Sequence, residues 1–291
     1  ESKAAAGAPR KRRSQVAEIW KRMKRNRMAM IGLAIISFLI LASLFAGVLA
    51  PYGYDIQNFK ERFQSPSASH WFGTDNYGRD ILSRILYGGR ISLKIGLVST
   101  AISGCTGIIL GSIAGFYGGR VDNIIMRILD IMMAIPGVLM AIAISASLGA
   151  GLQNAMIAVG VTATPGFARV VRASALSVSG QEYIEASRAI NAGNRRIILR
   201  HVIPNVMAPI IVQATLGVAS AILQTAMLSF IGLGSQPPVP DWGSMLSAGR
   251  TYLRDYWYMS TFPGVAIMLT IFSLNILGDG LRDALDPKLK R

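Results

Sequence analysis

Residues 131–168 read IMMAIPGVLMAIAISASLGAGLQNAMIAVGVTATPGFA, thirty-eight positions without one charged side chain. At about 1.5 Å per residue, a helix of that length would run to roughly 57 Å, nearly twice the hydrocarbon thickness of a bilayer. One helix of ordinary tilt cannot contain it. Gly149–Ala150–Gly151 near the middle supplies a turn, so the run divides into two short spans, Ile131–Leu148 and Leu152–Ala168. Pro136 and Pro165 lie within them and are expected to bend or end helices.

Outward from this pair, the same test finds four more spans. Ile31–Ala50 has twenty residues without a charge and follows a basic segment that holds Arg10-Lys11-Arg12-Arg13 and the run from Lys21 to Arg27. A secretory signal peptide carries an apolar core of only about 7–15 residues, so Ile31–Ala50 reads as an uncleaved first helix. Ile95–Tyr117 is the second span and stops at Gly118–Gly119. The fifth runs from near Pro204 to Leu233, with Pro209 in its first turns, and the sixth lies near Phe262–Gly278. The expected fold is an all-α integral membrane protein with six transmembrane helices.

Composition agrees: 52% of the 291 residues are hydrophobic and 15% charged, against about a quarter charged in a typical soluble domain. A net charge of +15 could suit nucleic acid, but here the positive residues follow membrane topology. Ten Lys and Arg precede the first span, two follow the second, six follow the fourth and four follow the sixth, while eight fall on the opposite side. The expected partner surface is therefore membrane lipid and no nucleic acid, with both termini in the cytoplasm. The lone Cys105 and the distant His70 and His201 offer neither a disulfide framework nor metal-ligand spacing. The chain divides into a basic N-terminal tail at 1–27, whose Ala4–Pro9 has a disordered composition, a first helix at 28–50 and an external loop at 51–90. A five-helix core at 91–279 contains the connector at 180–204, and a C-terminal tail at 280–291 completes it.

Two helical faces stand out. Ser99, Ser103, Gly107, Gly111 and Gly115 recur every four residues, a stripe along which another backbone can approach closely. Span five carries Gln213, Thr215, Ser220, Gln224, Thr225 and Ser229, and polar side chains in hydrocarbon need partners or water. The stripe reads as intramolecular helix packing or as the contact that rearranges during transport, and the face of span five as interhelical hydrogen bonding or the lining of a solute path. Ser99, Ser103, Gln213, Ser220, Gln224 and Ser229 are the candidates for such a path. Asn275 in span six reads as a helix–helix contact.

The connector between spans four and five carries the sharpest signal: Gln181-Glu182-Tyr183-Ile184-Glu185-Ala186-Ser187-Arg188-Ala189-Ile190-Asn191-Ala192-Gly193-Asn194, then Arg195, Arg196, Arg200, His201 and Ile203–Pro204. Residues 181–190 suit a short helix, with acidic residues near its start complementing the dipole. Glu185 and Arg188 are three apart and are expected to pair. Asn191 or Gly193 can end the helix in a left-handed conformation. A helix this short is marginal alone and makes sense when ordered by a partner.

The segment resembles the EAA loop of ATP-binding-cassette importers: Glu-Ala-Ala, three residues, Gly, then nine residues and a stretch ending in Leu-Pro. Glu185–Ala186 match, Ser187 replaces the second Ala, Asn191 stands at the Gly, and Ile203–Pro204 stand for Leu-Pro. His70-Trp71-Phe72-Gly73-Thr74-Asp75, Gly78-Arg79-Asp80 and Ser83–Arg84 resemble the first external loop of C-type dipeptide and oligopeptide permeases. Leu228-Ser229-Phe230-Ile231-Gly232-Leu233-Gly234 and the ending Gly278-Asp279-Gly280-Leu281-Arg282-Asp283-Ala284-Leu285-Asp286-Pro287 do so too. The resemblance implies a permease in a bacterial cytoplasmic (inner) membrane, paired with a related B-type subunit. It also implies two cytoplasmic ABC ATPases that bind ATP and Mg, an external substrate-binding protein and a peptide substrate. Glu182, Tyr183, Glu185, Ala186, Ser187, Arg188, Asn191, Gly193 and Pro204 would then couple the ATPases to the membrane. Relatives of the same machine carry nickel, metal chelates or glycopeptides, so the cargo stays open on sequence.

No catalytic or nucleotide site is expected in this chain. Gly73-Thr-Asp-Asn-Tyr-Gly78 has phosphate-loop glycine spacing, but Arg79–Asp80 replace the Lys and Ser/Thr that hold phosphate and Mg²⁺. His70 reads as a loop contact, His201 as a packing or membrane-surface residue. Asp75, Asp80 and Arg79 are expected to order the external loop by ion pairing, and docking of a binding protein is the alternative. Trp242, Tyr252, Tyr256, Trp257 and Tyr258 suit an interfacial aromatic belt. A membrane enzyme would need convergent ionisable residues at membrane depth, which the apolar blocks lack; a scaffold would need no polar face on span five.

Overall fold

Asn26 begins the first apolar helix by accepting a hydrogen bond from the Ala29 amide through its side chain, 3.1 Å long. The computed structural model describes residues 15–285; the expected disordered stretch at 4–9, the basic run at 10–13 and Asp286–Pro287 lie outside them. Apart from one isolated bridge between Thr74 and Asp80, the regular structure of the described residues is helical. In order these are α1 (Gln15–Met23), α2 (Arg27–Leu44), α3 (Ala46–Leu49), α4 (Ile81–Tyr117), α5 (Gly119–Met133), α6 (Gly137–Leu148) and α7 (Leu152–Ser179). They continue as α8 (Glu182–Ala189), α9 (Asn194–Ile197), α10 (Ile203–Asn205), α11 (Met207–Phe230), α12 (Trp242–Arg250) and α13 (Tyr258–Leu285).

Among the described residues, α2, α4, α11 and α13 are long and apolar enough to cross a membrane. A fifth span is counted if α5 and α6, bent by 85° at their break, form one crossing. The long uncharged run thus breaks in two places. Pro136 follows the end of α5, and the Gly149–Gly151 turn separates α6 from α7. Asn154 closes that turn, donating to the carbonyls of Leu148 (2.9 Å) and Gly149 (3.0 Å). Pro165 does not end a helix: α7 runs through it for 28 residues.

The small-residue stripe is the seam between α4 and α7. A Cβ on Gly111 would stand 2.5 Å from the Ala168 carbonyl oxygen, and one on Gly115 would stand 2.7 Å from the Ala175 Cβ. Only hydrogen fits at such positions, so the two backbones pack in direct contact. Ser99 joins the seam by donating to the Met156 carbonyl, 3.1 Å away.

Two expectations are corrected. The segment read as external loop to residue 90 turns helical at Ile81, because Asp80 caps α4 through the Ser83 amide (2.8 Å) and hydroxyl (2.7 Å). Its charges then find partners. Arg84 donates to the Tyr54 carbonyl, 3.0 Å away. Arg90 donates to the carbonyls of Ser43 and Leu44, each 2.7 Å away, closing the exposed end of α2. Trp242 and Tyr258 do not join a membrane-surface belt either; they are 1% and 2% exposed and form a core with Ile81, Met245 and Met259. The Trp242 indole donates to the Ile85 carbonyl at 2.9 Å, which satisfies its polar edge inside that core. The loop before α4 is ordered by an ion pair as expected, Asp75 with Arg79 (2.7 Å), and by a hydrogen bond between His70 Nδ1 and the Asp80 carboxylate (2.9 Å).

At the other end, Ile19 and Met23 of α1 pack with Ala29, Leu281 and Ala284, so the beginning and end of the described chain lie together. Part of the basic tail, from Gln15, is therefore a docked helix.

Candidate functional site

Helix α8 is eight residues long, which is too short to persist in water unaided. A single buried side chain anchors it. Ile184 is fully buried against Phe116 at the end of α4, Ala175 of α7, Ile197 of α9 and Val202. Glu182, Tyr183, Glu185, Ala186 and Arg188 are exposed, and Ser187 is half-buried. Its hydroxyl donates back to the Tyr183 carbonyl at 2.7 Å.

The helix ends in a full left-handed cap. Asn191 has φ of 58°. Its amide bonds the Arg188 carbonyl (2.9 Å), and the Ala192 amide bonds that of Ser187 (3.1 Å). Gly193, with φ of −60°, is extended and caps α9 instead. Of the two residues that could stop the helix, Asn191 does so.

Glu185 and Arg188 form no ion pair, contrary to expectation. The Arg188 guanidinium lies 4.9 Å over the Phe116 ring. The exchange has a physical reason. An exposed pair spaced three apart is worth about 0.2–0.5 kcal/mol, whereas a cation over an aromatic face gives about 0.5–1 kcal/mol. Both Glu182 and Glu185 are left open to solvent.

Beyond α9 the chain stays helical up to α11. Residues 198–202 widen into a π turn and Pro204 sits exposed in the first turn of α10. A proline cannot donate to the preceding turn, and a widened turn accommodates it. Tyr183 and His201 bring their rings to 6.4 Å across this connection.

The second feature is a groove of about 330 Å³. Ser103 of α4, Thr162 of α7 and Gln213, Ser220 and Gln224 of α11 meet in it with Met132, Met133, Pro136 and Met140 of the α5–α6 elbow. Of the six path candidates, the structure brings four together. Ser99 is buried in the α4–α7 seam, and Ser229 is buried where α12 and the loop at Gly234 press on α11. Asn275 is exposed on α13. Sequence reading expected Pro136 to bend or end a helix but did not place the resulting elbow on the groove. Its signal was present in Pro136 and in the methionines flanking it, adaptable side chains suited to a surface that repacks. Also missed were two ion pairs joining α5 to α7: Asp122 with Arg172, and Asp130 with Arg169 at 2.5 Å.

A sequence model described as "Binding-protein-dependent transport system inner membrane component" matches residues 107–291. One described as "N-terminal TM domain of oligopeptide transport permease C" matches residues 14–66. The dipeptide transport system permease protein DppC of Alkalihalophilus pseudofirmus is 49% identical, over 94% of this chain and 90% of its own length. The di/tripeptide transport system permease protein DppC of Pseudomonas aeruginosa is 44% identical, over 95% and 93%. The glutathione transport system permease protein GsiD of Escherichia coli is 43% identical, over 94% and 90%. Among solved structures, a chain of the MetNI methionine ABC transporter in an inward-facing conformation has the same fold. It superposes with a TM-score of 0.56 at 22% identity, covering 68% of this chain and 94% of that one.

Proposed function

This chain belongs to the binding-protein-dependent transport system inner membrane component family, and from that premise we propose that it is the C-type permease subunit of an ATP-driven importer of di- and oligopeptides. It is a multi-pass inner-membrane protein and is not itself the catalyst. ATP and Mg belong to two cytoplasmic ATPase subunits, and a related B-type permease supplies the other half of the path. An external binding protein delivers the solute.

The observation that carries this reading is the mounting of α8. A short helix with two exposed carboxylates is pinned by Ile184 to the ends of α4 and α7 and runs through a helical connection into α11. A cleft in an ATPase that grips Glu182 and Glu185 would move α8 as a lever. Residues from Tyr183 to Gly193, with Pro204 at the joint, would pass that movement to α11, which carries Gln213, Ser220 and Gln224 in the groove. In this arrangement α7 is the fourth crossing in chain order and brings the total to six, because it pairs along α4 for most of its length and returns the chain to the side of α8. Both termini are then cytoplasmic, matching the excess of Lys and Arg on that side.

Peptide is favoured over a metal chelate as cargo. The groove presents amides and hydroxyls among apolar side chains, with no carboxylate or imidazole in its lining, and amides pair naturally with a peptide backbone. The named relatives point the same way. The test is uptake of a labelled dipeptide by the reconstituted transporter carrying Glu182→Ala with Glu185→Ala. Assembly should be retained and uptake should fall at least tenfold; undiminished uptake overturns the reading.

A further inference from the structure

We infer that the ion pair between Asp122 and Arg172, seconded by Asp130 and Arg169, ties α5 to α7 as a strut that carries movement of α8 to the far wall of the groove. The inference rests on the coupling reading of α8 and adds a route that does not pass through α11.

Helix α5 is bounded by a bend at each end. Gly118 and Gly119 hold φ of 61° and 52°, and nothing lies within 4 Å of where a Cβ would stand on either. At the other end the chain turns by 85° between α5 and α6. Between the bends only Asp122 and Leu129 are buried, while Val121, Ile124, Ile128 and Ile131 point away from this chain. Apolar packing alone therefore holds α5 weakly, and its position depends on its polar ties.

Those ties are placed for transmission. Arg172 donates from Nε and Nη2 to both carboxylate oxygens of Asp122, a two-pronged contact that sets direction as well as distance. The Asp122 side chain is 11% exposed and that of Arg172 33%, so the pair is part-buried and water screens it only from the Arg172 side. Asp130, at 56%, is the weaker tie. Both arginines lie on α7 between its groove-lining residues Thr162–Phe167 and its end at Ser179, two residues before α8. Because α7 is seated on the glycines of α4, it moves as a slab. A displacement entering from α8 passes Arg172 and Arg169 and draws α5 with it. Met132 and Met133, at the end of α5, line the same groove as Gln213. Asp122 and Arg172 are thus positioning residues for transport.

The test uses the whole transporter in phospholipid vesicles with radiolabelled dialanine, reading dialanine imported per ATP hydrolysed. Asp122→Asn should lower that ratio at least fivefold while the amount of assembled complex and the ATPase rate stay within twofold. In a Cys105→Ala background, Asp122→Cys with Arg172→Cys should be equally uncoupled. Bridging the two cysteines with a short bismaleimide should restore at least half of the ratio, because a strut needs only to stay joined. A merely structural pair would lose assembly, ATPase and uptake together, and bridging would not restore the ratio. An unchanged ratio in Asp122→Asn, or a ratio that stays low after bridging, overturns the inference. Failure of the coupling reading shows separately, as normal uptake by the Glu182→Ala, Glu185→Ala transporter.

Discussion

The Arg188 guanidinium rests 4.9 Å over the ring of Phe116, joining the exposed face of α8 to the last turn of α4. Phe116 serves twice, since its ring also closes the pocket that holds Ile184. Helix α8 is fastened by one buried aliphatic side chain and one cation over a ring, and not by a salt bridge along its own surface.

Phe116→Leu keeps the apolar pocket and removes the ring face. A cation–π contact at an exposed site is worth about 0.5–1 kcal/mol, a factor of roughly two to five in a docking equilibrium. Hydrogen exchange of the amides at 184–190 should accelerate by about that factor, with the global unfolding temperature unchanged. Ile184→Asp buries a charge in the same pocket, so α8 should detach altogether and those amides should exchange as in an unstructured peptide.

Asn191 holds its φ of 58° at a position where a side chain is usually unfavourable. Asn191→Gly should therefore leave the helix end intact or slightly firmer. Asn191→Val places a β-branched residue in the left-handed region at a cost of about 1–2 kcal/mol. Exchange at the Ala192 amide, whose partner is the Ser187 carbonyl, separates the two variants: protected in Gly, released in Val.

Gly111→Val presses a methyl-bearing carbon where the Ala168 carbonyl already stands at 2.5 Å from an ideal Cβ. Backbone cannot step aside as a flexible side chain can, so α4 and α7 must separate, and overpacking of this kind costs about 1–3 kcal/mol. The detergent-solubilised chain should unfold several degrees lower. Gly166→Ala on α7, where nothing lies within 4 Å of the added Cβ, is the clash-free control and should be neutral to stabilising.

The limits of sequence reading show at particular residues. Arg84 and Arg90 read as loop charges because a charged residue near an apolar block normally marks its end. Folding gave them carbonyl partners at Tyr54, Ser43 and Leu44, thirty to forty-seven positions away, and the helix could begin at Ile81. Trp242 and Tyr258 read as a surface belt for the same reason: aromatic density near a span is common to interfaces and to cores, and only contacts separate them. The stripe on span two was legible as close packing, since small residues every fourth position allow little else, but its partner face on α7 was not.

What the chain alone determined is its solvent and its kinship. Blocks of about twenty residues without charge read as membrane spans whatever their neighbours are, and the connector's spacing from Glu185 to Pro204 resembles the family's without reference to any contact. What only the tertiary structure decided is which side chains meet. Ser103, Gln213 and Gln224 share a groove, Ser99 is sealed in a seam, and Asp122 finds Arg172 fifty residues away. The orientation of one helix against another is settled by interlocking of their surfaces, which no single segment encodes.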